Sequence, residues 1–148
     1  MRPIPIYNRQ KSTRTWFKDS NIIVESFLED PVHFIRLKVI INFETRVIKD
    51  IETEFIRSPY EDICPLTGNE YKKIIGLKIE EGFNKKVSEI IKLDKGCTHL
   101  TTLLREAADS FIQSIFYKTA DTKEGKERRD LLKTMLKDTC LAYSKDYV

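Results

Sequence analysis

The stretch from His33 to Glu44 limits the fold more than any other part of the chain. His33, Ile35, Leu37, Val39, Ile41 and Phe43 fall at every second position, with Arg36, Lys38, Asn42 and Glu44 among the residues between them. Successive side chains of a strand point to opposite faces, so this pattern predicts a strand with one apolar and one wet face. After Glu44-Thr45-Arg46 the alternation resumes from Val47 to Ile56, with Ile51, Thr53 and Phe55 set against Asp50, Glu52 and Glu54. A hairpin joining the two strands follows. Upstream, Asp19-Ser20-Asn21 is turn chemistry, Ile22 to Leu28 reads as a strand closed by Glu29-Asp30-Pro31, and a first strand starts near Thr15-Trp16-Phe17. Residues 1–13, with Pro3 and Pro5, read as a loose arm.

Beyond Ser58-Pro59-Tyr60 the period changes from two to three and four. Thr67-Gly68-Asn69-Glu70 has capping-box spacing, which predicts a short helix through Tyr71, Ile74 and Ile75 that stops at Gly76. Leu77 to Gly82 is a connector, and a second helix carries Val87, Ile90 and Ile91 and ends at Gly96. A third runs from Thr98 to Tyr117, with Leu100, Leu103, Leu104, Ala107, Ala108, Phe111, Ile112, Ile115 and Phe116 as one apolar stripe. After a polar loop over Thr119 to Gly125, a fourth helix from Lys126 to Ala142 turns Leu131, Leu132, Met135, Leu136 and Cys140 toward the core. The expected fold is α+β: an antiparallel meander of three to four strands with about four helices packed on one face. At 148 residues, without internal repeats or a linker, the chain reads as a single domain, mainly β over 14–57 and mainly α over 64–143.

Charge excludes some functions. The net charge of +3 is what remains of 26 basic and 23 acidic side chains, interspersed almost everywhere, including the basic run from Lys123 to Lys137. A nucleic-acid surface needs an unbalanced basic face, so that function is set aside. No apolar run approaches the ~20 residues that span a membrane. The N-terminal residues lack the apolar core of a signal peptide, which places the three cysteines in a reducing cytoplasm as free thiols or metal ligands.

The chemistry-bearing residues are His33, Cys64, Cys97, His99 and Cys140. With Thr98 as N-cap, Cys97 and His99 sit at a helix N-terminus, where the dipole and unpaired N–H groups favour a thiolate. Three or four of these five side chains brought together would suit zinc or an iron–sulfur centre. Only Cys97-x-His99 is local, however, and paired Cys-x-x-Cys knuckles are absent. Each residue also has a structural explanation: Cys140 as core packing, His33 as a buried histidine satisfied by a backbone carbonyl, Cys64 as a boundary residue. The glycines Gly76, Gly82 and Gly96 read as helix stops or turns needing positive φ.

Several motifs resemble an uncharacterised bacterial family known only as a domain of unknown function. They are Pro59-Tyr60 ahead of Cys64; Gly76-Leu77, Ile79 and Gly82-Phe83; and Gly96-Cys97-Thr98-His99-Leu100, with His33 opening the main strand and Cys140 near the C-terminus. The resemblance runs from Arg9 to Asp146 and implies which residues matter, not what they do. Three functions stay open at this point. A Cys/His metal or iron–sulfur protein comes first, then a thiol enzyme with Cys97 as nucleophile and His99 or His33 as base, although no third, orienting residue can be named for it. The last is a non-catalytic module or accessory subunit, with an edge strand near Trp16 or Ile22 open to homo-oligomer formation.

Overall fold

The alternating segments form one antiparallel sheet in the order β1-β2-β3-β4, with β1 at Gln10–Lys18, β2 at Asn21–Glu29, β3 at Phe34–Asn42 and β4 at Ile48–Arg57. The computed structural model describes residues 1–119, 124, 126–127, 130, 133–134 and 136–144. Register explains the core. Ile22, Val24, Ser26 and Leu28 of β2 lie opposite Ile41, Val39, Leu37 and Ile35 of β3, and all eight are buried. Irregularities beside Phe34 and Ile40 let β4 skip a residue at each end, so Ile48, Ile51, Thr53 and Phe55 still meet Ile41, Val39, Leu37 and Ile35. The opposite face is laced by Arg36 with Glu25 and Glu54 and by Lys38 with Glu52. At the β1–β2 step of the core face, fully buried Ser26 is satisfied by the Thr13 hydroxyl at 3.1 Å.

The helical half departs from expectation in its local chemistry. A 3-10 turn at Cys64–Thr67 precedes α1, Gly68–Tyr71, and a second such turn covers Lys72–Ile74. Thr67 does not cap α1; its hydroxyl donates back to the Cys64 carbonyl, because Pro65 has already started the helical turn ahead of it. Gly76, at φ +92°, ends the segment, and the supposed connector then pairs with the start of β4. Leu77 O accepts from Ile48 N–H, Gly76 N–H donates to Ile48 O, and Val47 bridges Lys78. α2 spans Phe83–Ile90 after Gly82 at φ +81°; it ends at Ile90 rather than at Gly96. α3 covers Thr98–Thr119.

The chain divides into two compact units at Phe111. The first, residues 1–111, holds the sheet, α1, α2 and the part of α3 whose Leu100, Leu103, Leu104, Ala107, Ala108 and Phe111 are buried. Burying each leucine or phenylalanine contributes about 1.5–3 kcal/mol. The second, residues 112–148, holds the end of α3, where Ile112, Ile115 and Phe116 are half-buried, and helical residues up to Thr134. The expected fourth helix lies partly outside the described residues, Leu131, Leu132 and Met135 among them. It does not reach Ala142: Leu136 to Asp138 form a turn and Leu141–Tyr143 a 3-10 turn. Cys140 is consequently exposed and extended rather than on a buried helical face. Among the described residues no helix is long and apolar enough to cross a membrane.

Candidate functional site

The site is built on Asp30, in the tight connection between β2 and β3. Its Oδ1 accepts the backbone N–H groups of Val32 and His33 at 2.8 and 2.7 Å, and its own N–H donates to the His33 carbonyl at 2.8 Å. This is the turn chemistry expected of Asp before Pro31. The same carboxylate also accepts from the Tyr7 hydroxyl at 2.8 Å, from Arg9 Nε at 2.9 Å and from His33 Nδ1 at 3.1 Å. Its side chain is 0% exposed. Burial by itself would raise the carboxyl's pKa, but the hydrogen bonds from His33 N–H, Tyr7, Val32 N–H and Arg9 outweigh it and hold the group well below the usual carboxylate range. Asp30 is therefore an anion at any physiological pH.

That anion orders two histidines. An ionised carboxylate only accepts, so His33 Nδ1 carries a proton. The His33 ring lies against that of His99, with centroids 4.1 Å apart. Arg9, fixed by Asp30, places its second guanidinium nitrogen 3.3 Å from His99 Nε2. Arginine only donates, so His99 Nε2 accepts and Nδ1 bears the proton. Burial, then the charges of the neighbouring His33 and Arg9, lower the His99 pKa. Its Nδ1–H faces Cys97 Sγ at 3.9 Å.

Cys97 is itself held at the start of α3. Its carbonyl accepts the first intrahelical bond, from Thr101 N–H at 3.0 Å, so Cys97 occupies the cap position that the sequence suggests for Thr98. Buried Tyr71 grips it twice, donating to the Cys97 carbonyl at 2.6 Å and accepting its N–H at 3.0 Å. Gly96 does not have positive φ. It is small because a Cβ there would lie 2.6 Å from Ile91 Cγ2 and 3.3 Å from the Tyr71 hydroxyl oxygen.

Of the five residues picked from sequence, His33, Cys97 and His99 come together. Cys64 is half-buried in the turn before α1, and Cys140 is exposed in the second unit. His33 is satisfied by the Asp30 carboxylate, not by a backbone carbonyl. Among the described residues no group of three or more His, Cys, Asp and Glu side chains is arranged to hold a metal ion. Sequence reading missed Tyr7, Arg9 and Asp30. The only available signal was the Asp30-Pro31-Val32-His33 run, which reads as a strand terminator although it also sets an acid three residues from a histidine.

A family model described as a protein of unknown function, DUF2889, matches residues 11–113. The chain belongs to the DUF2889 family. No curated protein and no solved structure matches it. The DUF2889 match takes in the sheet from its second residue onward, Asp30, His33, Cys97 and His99; Tyr7, Arg9 and Cys140 lie outside it.

Proposed function

We propose that this DUF2889 domain carries a thiol-dependent enzyme site in which Cys97 is the nucleophile. The observation that supports this reading is the continuous relay from buried Asp30 through Arg9 to His99 Nε2, which leaves His99 Nδ1–H directed at Cys97 Sγ. In this arrangement His99 is a hydrogen-bond donor to the sulfur rather than its base. His33, oriented by Asp30 through Nδ1, lies against His99 as the second imidazole of the site. Asp30 is the orienting residue that a Cys/His pair needs and that the sequence does not reveal. The chemistry this supports is addition of the Cys97 sulfur to an electrophilic carbonyl carbon, the π pair of the carbonyl moving onto its oxygen and the thiol proton passing to water.

A second reading is a metal bound by Cys97, His99 and His33. It is favoured by one feature: a histidine whose Nδ1–H is held by a carboxylate presents Nε2 as a ligand nitrogen, as His33 does. Against it, the Arg9 donor already occupies His99 Nε2. One preparation tests both. Purified without chelators, the protein is analysed for zinc and iron, then treated with iodoacetamide at pH 7 and mapped by mass spectrometry. The thiol reading expects Cys97 to alkylate about tenfold or more faster than Cys64 and Cys140, and Arg9→Met to remove that advantage. Equal rates at all three thiols refute it. Stoichiometric metal lost in both Cys97→Ser and His99→Gln puts the metal reading first.

A further inference from the structure

Cys97 also lines a groove of about 410 Å³ between the end of α2 and the first turns of α3, within the range of small-molecule sites. Its apolar surface is chiefly Leu93, 93% exposed, with Ile91 and the fully buried Val87 beneath it. Lys92 and Arg105 supply the charge, and no carboxylate lines the groove, although 23 of the 148 residues are acidic. Several cations elsewhere are matched, Arg36 with Glu25 and Glu54, Lys38 with Glu52 and Arg57 with Glu29. Among the described residues neither Lys92 nor Arg105 has a carboxylate partner; Arg105 makes only a 3.4 Å contact to the Ser88 hydroxyl. The groove's hydroxyls on Ser88, Thr101 and Thr102 are already bonded to Asn84 O, Tyr71 and Thr98 O. Lys92 and Arg105 are therefore the charged donors left for a ligand, beside the hydroxyl of Thr98, which also lines the groove.

We propose that this groove binds a small amphiphilic anion, its carboxylate or phosphate held by Arg105 and Lys92 and its apolar part laid on Leu93 and the edge of Ile91. A guanidinium fork matches either head group, and the ammonium adds a point charge. As the substrate class of Cys97 this rests on the thiol reading; as a binding site it does not.

The test is a ¹H–¹⁵N titration of the full chain with hexanoate, hexyl phosphate and uncharged hexanamide. Saturable shifts at Ser88, Gly96, Thr98 and Arg105 are expected with one or both acids, and the stronger binder identifies the head group. Hexanamide should bind about tenfold more weakly, as should the acids to Arg105→Gln and Lys92→Gln. Both variants change exposed side chains, and an unchanged spectrum of the ligand-free protein confirms their fold. Cys97→Ser is expected to bind the acids within twofold of the original, so slow alkylation of Cys97 would sink the thiol reading and leave the groove standing. The proposal is overturned if neither acid saturates, if hexanamide binds as tightly, if both cation variants bind like the parent, or if Cys97→Ser abolishes binding.

Discussion

Replacing Asp30 by asparagine changes only the charge and two lone pairs, yet the structure makes it the most damaging conservative substitution in the first unit. The side chain is fully buried and receives donors from Val32, His33, Tyr7 and Arg9. An asparagine in its place could still accept the two backbone N–H groups through its oxygen, but its amide would point hydrogens at the Tyr7 hydroxyl and the Arg9 guanidinium. Arg9 is itself exposed, so the loss is that of a hydrogen bond to a charged group, about 1.5–3 kcal/mol. With a urea m-value near 2 kcal/mol/M, the midpoint of unfolding should fall by about 0.8–1.5 M. The acid limb gives a second reading. Because the Asp30 pKa is depressed in the folded protein, its contribution is fully present above the unfolded value of about 3.9 and is lost as pH falls below it. Asp30→Asn should therefore flatten the fall in stability below about pH 4 as well as lower the plateau at pH 7. A midpoint within about 0.3 M of the parent, or an unchanged acid slope, would refute the claim that this carboxylate anchors the site.

Tyr71→Phe removes the hydroxyl that bonds both the N–H and the carbonyl of Cys97; it should cost about 1–3 kcal/mol in urea unfolding, and a cost below about 0.5 kcal/mol counts against the grip described. Gly96→Ala and Gly82→Ala should both destabilise, for different reasons. The first should cost about 1–3 kcal/mol by overpacking against Ile91 Cγ2 and the Tyr71 hydroxyl, and Ile91→Leu in the same chain, which removes the Cγ2 branch, should recover part of it. The second has open space around its Cβ and only a positive φ to strain, costing about 1–2 kcal/mol that Ile91→Leu leaves untouched.

Period carried most of the fold. Alternation in β3 and β4 names the buried face correctly because a half-buried strand has no other way to bury Ile35, Leu37, Val39 and Ile41 together, whereas the consecutive Ile22, Ile23 and Val24 of β2 leave its faces mixed in sequence. The leucines and alanines of α3 are legible for the same reason. Caps and stops are less so, since they depend on which of several polar neighbours reaches a free N–H first. Thr67 turns back to Cys64, and Cys97, whose side chain gives no capping signal, takes the position next to Thr98. Gly96 looks like a positive-φ glycine in sequence, but the Ile91 and Tyr71 side chains that exclude a Cβ belong to other segments.

The site was half legible, and its missing half has a common cause. Cys97 and His99 are visible because they are neighbours on one helix turn; Tyr7, Arg9 and Asp30 are not, because each meets the site only after the meander has folded. Among so many acids, Asp30 is distinguished by having no water to stabilise its charge, a property of the closed sheet end and not of the residue. Once buried as an anion it requires donors, and the donors that reach it are the backbone of its own turn, His33 and two side chains of the arm that reads as loose. The arm is thereby drawn to the position from which Arg9 touches His99. The tautomer of His99, and with it the proton that faces Cys97, is fixed by a carboxylate that contacts neither residue. Substitutions at Tyr7, Arg9 and Asp30 should therefore change Cys97 reactivity in the order of their coupling to His99. Arg9 should act most directly, Asp30 through Arg9 and His33, and Tyr7 least.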